Sequence, residues 1–185
     1  MGFSLGGGLV IRAAAFEPRV RRVIAYDICA EFLECALRTL SPPAQKELRG
    51  WIDIGNEGTF NKFCTEAMAK SLLLDWAIQQ GMHNSGVQTP YAMMKHYQKF
   101  ETASISHLLT QDVLALAGAE DHYIPVHQLP DQIATLTHVR SLTARLFTRA
   151  EQAQNHCQVG NMGLAFRVIL DWMESLGPIH EPAHS

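Results

Sequence analysis

Gly2-Phe3-Ser4-Leu5-Gly6 carries a serine with glycine two residues away on each side. Gly6 to Phe16 (GGGLVIRAAAF) follows at once, with Leu9, Val10, Ala13 and Ala14 at helical spacing and Pro18 as a stop. A G-x-S-x-G pattern directly before a helix marks a turn so sharp that side chains at the flanking positions would clash. Such a turn lifts the Ser4 hydroxyl out of its surroundings. It also leaves the Leu5 N–H at a helix N-terminus, where a partial positive charge suits a developing oxyanion. A glycine-rich helix start or a phosphate-binding turn draws on the same residue types, so the pattern needs company before it means catalysis.

Further along, Val20 to Asp27 (VRRVIAYD), Asp112 to Gly118 (DVLALAG) and Leu142 to Phe147 read as buried strands. Leu129 to Leu136 reads as a helix. Gly160 to Leu176 puts Leu164, Ala165, Val168, Ile169, Trp172 and Leu176 on one face of a closing helix. Buried strands alternating with helices predict a parallel sheet of about three strands covered by helices, the α/β class. Between Ile28 and about Ser106 the pattern turns helical. Ala30 to Leu40 is the first piece, Ser41-Pro42 starts a second, and Thr59 to Gln80 reads as one long helix capped by Gly81. Thr89-Pro90 starts a last helix carrying Tyr91, Met94 and Tyr97.

Two more residues join Ser4. Asp121 follows the strand ending at Gly118, where an acid faces the functional edge of a parallel sheet; an Asp there is also a common turn former. His156 lies in a polar loop (EQAQNHC) between the last strand and the closing helix, the position from which a histidine reaches both acid and serine. Ser, Asp and His in that chain order, each at a strand end, predict a nucleophile–acid–base set of Ser4, Asp121 and His156.

Composition limits the alternatives. The chain has 185 residues, 47% of them hydrophobic and 18% charged, which is material for one sizeable core with room for an inserted subdomain. A net charge of −3 with no Lys/Arg run argues against nucleic acid or an acidic membrane surface as partner. A small-molecule substrate is expected, and homo-oligomerisation is left open. Cys29, Cys35, Cys64 and Cys157 show no Cys-x-x-Cys spacing and read as reduced thiols, hence a cytoplasmic location. No secretory signal is read in the first ten residues, and the longest apolar stretch, Ala67 to Ile78, is too short and interrupted to span a membrane. The histidines lack H-E-x-x-H spacing, so no catalytic metal is expected, and the reading calls for no cofactor.

Taken together, GFSLGG, VIAYD, GAEDHYIP and NHCQVGN make the chain resemble the C-terminal part of the α/β-hydrolase superfamily from its nucleophile turn onward. The stretch RAAAFEPRV followed by a helical insert is similar to a subgroup that includes fermentation-respiration-switch-type esterases, pseudooxynicotine-type carbon-carbon hydrolases and fungal polyketide-shortening hydrolases. The resemblance implies a hydrolase core in residues 1–27 and 107–176, a helical cap in 28–106 and a frayed tail in 177–185. It implies a serine hydrolase acting on an ester, thioester, amide or carbon–carbon bond, with Leu5 as oxyanion donor. Because some relatives place the acid at the end of the preceding strand, the resemblance also makes Asp27 the second choice for the acid, a structural cap for the insert being its other reading. Trp51, Phe60, Trp76, Tyr91, Met94 and Tyr97 are the candidate substrate-lining side chains of the cap, although aromatic residues at helical spacing equally form cap core. Against the family pattern, the five strands that precede the serine turn and the loop that supplies a second oxyanion N–H have no counterpart here, which implies a non-catalytic or ligand-binding fragment as the alternative. Thr110-Gln111 also stand where a proline often precedes the strand after the cap.

Overall fold

In the computed structural model, which describes residues 1–178, the chain divides into two units: Met1–Glu31 with the chain from Glu101 onward, and Phe32–Phe100. The expected tail lies, from residue 179 on, outside the described residues.

The first unit is built on a sheet of four strands, β1 (Gly2–Phe3), β2 (Arg22–Tyr26), β3 (Asp112–Gly118) and β4 (Ser141–Phe147), all parallel and in chain order. That is one more than the sequence pattern indicates, because two residues are too few to show an alternation. Strand side chains point to opposite faces in turn. Val23, Ala25, Val113, Ala115 and Ala117 share a core with Ile11 and Ala14 of α1 (Leu5–Phe16) and with Leu129 of the later helix Gln128–Thr135. Ile24, Tyr26, Leu114, Leu116 and Phe147 pack instead against Ala165, Ile169 and Trp172 of the closing helix Met162–Ser175. Gln111, in the place of the expected proline, sends its side-chain amide to Ala14 O at 3.1 Å and so ties α1 to the start of β3.

The α1 face carries the small residues for a steric reason. A Cβ at Gly7 would stand 2.1 Å from Asp27 O, and one at Gly8 would stand 2.2 Å from Cys29 O, so α1 touches the backbone leaving β2. A Cβ at Gly2 would stand 2.0 Å from Gly6 O. Gly6 itself meets nothing within 4 Å. The expected need for small residues on both sides of Ser4 is therefore corrected: it holds for Gly2, and on the helix side it falls on Gly7 and Gly8.

The second unit comprises five helices, α2 (Phe32–Leu37), α3 (Pro42–Asp53), α4 (Glu57–Met68), α5 (Leu72–Ser85) and α6 (Pro90–Tyr97), around a core of Leu33, Leu37, Leu48, Ile52, Phe60 and Met93 with their neighbours. Asn56, Ser71 and Thr89 cap α4, α5 and α6 by accepting the backbone N–H of Thr59, Leu74 and Ala92. The single helix read over Thr59 to Gln80 is two, because Ser71 starts a new one. Gly81 does not end it; Gly86, at φ 66°, does. Gly81 sits inside α5, where a Cβ would meet Met93 Sδ at 2.4 Å and Tyr97 Oη at 2.5 Å, so it lets α6 approach.

The chain leaves and re-enters the first unit at adjacent points. Glu31 and Glu101 form an antiparallel bridge, and Thr102 N–H donates to Ala30 O at 3.0 Å. No helix of the described residues is long and apolar enough to cross a membrane.

The glycine assignments give a paired expectation for chemical denaturation. Gly7→Ala, which forces a methyl into backbone, should destabilise the protein by about 1–3 kcal/mol or more. Gly6→Ala should be neutral or gain up to about 1 kcal/mol from helix propensity.

Candidate active site

At the end of β1 the backbone turns sharply. Ser4 N–H donates to Tyr26 O at 2.9 Å, extending the β1–β2 pairing by one residue, and Gly7 N–H donates to Ser4 O at 2.8 Å. Between those bonds Ser4 is held at φ 55°, ψ −122°, a backbone region that side chains rarely adopt and that costs about 1–3 kcal/mol. Leu5 is the first residue of α1, so its N–H is one of the helix's opening donors that no carbonyl of the helix can reach.

The ends of β3 and β4 deliver the other two groups. Gly118 is the reason they meet: a Cβ there would stand 2.4 Å from Gln154 O and 2.7 Å from Asn155 O, so only glycine lets the histidine loop lie on the end of β3. Ala119 N–H to Phe147 O (2.8 Å) and Glu120 N–H to Gln154 O (2.9 Å) fasten it there. Asp121 is buried. Its Oδ1 accepts the N–H of Tyr123 at 2.7 Å and of Ile124 at 2.9 Å, so it forms the local turn as well, and Oδ2 faces His156. His156 Nδ1 lies 2.7 Å from Asp121 Oδ2, and Nε2 lies 2.9 Å from Ser4 Oγ. Ser4, His156 and Asp121 thus form one hydrogen-bonded line from three strand ends.

The electrostatics follow from this line. Burial works against the charge on Asp121, but the hydrogen bonds from His156, Ile124 and Tyr123 outweigh it and hold the carboxyl below its usual range. Burial likewise opposes charge on His156, and the hydrogen bond and charge of Asp121, with Asp27 behind it, raise the imidazole above its ordinary value. Cys157, next along, has its thiol pushed up to about 11 by burial and by the Asp27 and Asp121 carboxylates. It is protonated near neutral pH and so a weak nucleophile. Asp27, His156 and Cys157 bring a carboxylate oxygen, a ring nitrogen and a thiol within 4.8 Å of one another. A cation there would compete with the bonds that Asp27 makes to the Cys157 N–H and the Gln158 amide.

The pattern of residues in sequence did not point to three participants. Gln158 is fully buried, and its partnership with Asp27 has no signature in the chain. The Tyr26 hydroxyl donates to Cys157 O at 3.1 Å. The Tyr123 ring stands edge-on to His156 with centroids 4.9 Å apart. Asp27, the second choice for the acid, lies 3.4 Å from His156 Nδ1, farther than Asp121. His122 is exposed, as a turn residue would be.

The proposed substrate-lining side chains are not gathered together. In the helical unit an apolar cavity of about 290 Å³ is bounded by Phe32, Leu37, Phe63, Ile78, Met94 and Tyr97 among others. Of the aromatic candidates only Tyr97 lines it. Phe60 is core, Trp51 packs edge-on to Phe63 at 5.7 Å, and Tyr91 reaches Ile52 O at 3.4 Å. Trp76 stands 61% exposed on α5.

With this geometry in hand, comparison with known proteins is direct. No protein-family model matches the chain. It is 27% identical over 149 residues to hydrolase acrC of Aspergillus aculeatus, covering 80% of this chain and 34% of that protein. It is 34% identical over 142 residues to hydrolase LUC6 of a Fusarium species, covering 73% of this chain and 33% of that protein. The chain thus spans about a third of the length of these curated relatives. Among solved structures it is similar to 2,6-dihydroxy-pseudo-oxynicotine hydrolase (TM-score 0.57, 19% identity, 93% of this chain and 38% of that one). It is also similar to the proline iminopeptidase of Mycobacterium smegmatis (0.53, 17%, 93% and 62%) and to a meta-cleavage product hydrolase from Pseudomonas fluorescens IP01 (0.52, 15%, 95% and 64%). The chain has the α/β-hydrolase fold. Its curated relatives are named hydrolases.

The site predicts a pH signature. Asp121, depressed in the folded state, contributes stability above its unfolded value near 3.8 that is lost as pH falls. His156, raised, contributes stability below its unfolded value near 6.5 that is lost as pH rises. In urea titrations across pH, Asp121→Asn should therefore lose most stability relative to wild type between about pH 4 and 6.5, with the gap narrowing on both sides.

Proposed function

We propose that this chain carries the nucleophile, base and acid of a serine hydrolase that cleaves an ester-like or carbon–carbon bond in a small, moderately apolar substrate. One observation carries the reading: His156 bridges Ser4 Oγ and Asp121 Oδ2 at 2.9 and 2.7 Å, with the serine on a strained turn that opens a helix. Ser4 Oγ attacks the substrate carbonyl carbon while His156 Nε2 takes its proton. The same proton then goes to the leaving group as the tetrahedral intermediate collapses to an acyl-enzyme, and water repeats the sequence to free Ser4. Asp121 fixes the imidazole with Nδ1 protonated, so that Nε2 is the free base. The Leu5 N–H, at the positive end of α1, donates to the oxyanion.

Support for hydrolysis also comes from the curated relatives and from solved neighbours named as hydrolases and a peptidase. We assign substrate selection to the helical unit on its place in the chain, inserted between β2 and β3, and on the apolar walls of its cavity. Four cysteines standing as thiols support a cytoplasmic location.

A fluorescent fluorophosphonate tests this without knowledge of the substrate. Protein shown by circular dichroism to be folded should label at Ser4, and Ser4→Ala and His156→Ala should both lose the label. Folded protein that does not label would end the serine-hydrolase reading for this chain and leave a ligand-binding or inactive role.

A further inference from the structure

One buried carboxylate beside the site has no part in the chemistry above. Asp27 follows β2 and is 1% exposed; its oxygens accept the Cys157 N–H and, at 2.7 Å, the Gln158 side-chain amide. Its Oδ2 is also 3.4 Å from His156 Nδ1, the ring nitrogen that Asp121 meets at 2.7 Å. Tyr26, one residue earlier, holds Cys157 O. The histidine turn is thus tied to the end of β2 by three bonds. It needs them, because Cys157 and Gln158 are both at positive φ, 50° and 47°, which neither residue type favours.

From this geometry we infer that Asp27 is a positioning residue, the second of two carboxylates bracketing His156 Nδ1, which aims the imidazole at Ser4 and can serve as its acceptor when Asp121 is removed. Its catalytic meaning rests on the serine-hydrolase reading; its geometry does not. Asp121 spends Oδ1 on two backbone donors and meets the ring with Oδ2 alone. Asp27 Oδ2 lies against the same nitrogen, so a small turn of the ring exchanges one acceptor for the other. The groups facing Asp27 are Gln158, Cys157, Asp121, His156 and the Tyr26 hydroxyl. Burial pushes its carboxyl up to about 6, the Gln158 and Cys157 hydrogen bonds and His156 pull it back, and Asp121 pushes with the burial. Near neutral pH Asp27 is charged and draws a proton onto His156; below about 6 that pull fades.

The test is an NMR titration of His156 in protein labelled at histidine, for wild type, Asp27→Asn, Asp121→Asn and the double variant, with fluorophosphonate labelling rates alongside. Asp27→Asn keeps the shape of the site. The Gln158 Oε1 is buried without a partner, so a flipped Gln158 amide can accept from the side-chain nitrogen that this substitution introduces. Loss of the Asp27 charge should lower the His156 pKa by about one unit and move the midpoint of labelling to lower pH by the same amount. Asp121→Asn should keep a low-field Nδ1–H resonance and label about tenfold or more faster than the double variant. A purely structural tie would slow labelling equally at every pH and leave the His156 titration in place. An unmoved His156 pKa in Asp27→Asn, or an Asp121→Asn variant no better than the double, overturns the inference. Should Asp27→Asn fail to fold, Asp121→Asn decides: a low-field His156 Nδ1–H that persists in the folded variant supports a second acceptor, and its loss overturns the proposal. Titrations that behave as stated in protein that never labels would sink the hydrolase reading and leave the bracketing intact.

Discussion

Hydrogen in place of a methyl group at Gly7 and Gly8 lets the first turns of α1 rest on the backbone of Asp27 and Cys29. That contact sets how closely the helix can follow β1, and so how sharply the chain must turn at Ser4. The strained φ of the serine is the result, and it is held by a strand-like bond on one side and a helical bond on the other. Gly118 does the same service on the far side by admitting the backbone of Gln154 and Asn155. Both close approaches must hold for His156 to span from Asp121 to Ser4. A shift of an ångström at either would break a hydrogen bond at the centre.

Charge at the site is distributed as unevenly as shape. Two buried carboxylates flank one imidazole, and the three groups settle into different states: Asp121 is readily ionised, Asp27 is reluctant, and His156 is more basic than a free histidine. The difference between the acids is one of donors and solvent. Asp121 has two backbone N–H groups and the ring, while Asp27 is the more deeply enclosed. Burial, and after it the same two carboxylates, keep Cys157 as a thiol beside the serine.

Much of this could be read from the chain. The strand Asp112 to Gly118 has the bounds its apolar run implies, and the closing helix buries the face marked by Ala165, Ile169 and Trp172. Ser4, Asp121 and His156 lie together because chain order and strand ends constrain them strongly. What escaped was set by contacts between distant residues. Ser71 divides Thr59 to Gln80 because its hydroxyl takes the Leu74 N–H, an option open to any serine in a helical stretch. Gly81 looks like a terminator in sequence and is instead a spacer against Met93 and Tyr97. Trp51, Tyr91 and Trp76 sit on three different helices and meet three fates, since a helical pattern tells which residues share a face but not what that face meets. The Asp27–Gln158 bond joins residues 131 positions apart, and nothing local announces it.

The bridge between Glu31 and Glu101 has an evolutionary reading. Because the chain departs from the sheet and returns to it at two paired residues, everything between them is, to the β2–β3 register, a closed loop. Lengthening, shortening or exchanging that segment changes neither strand nor the three groups at the strand ends. A lineage built this way is free to trade one inserted segment for another while the sheet and the three groups at its strand ends stand still, and diversification should concentrate between those two glutamates.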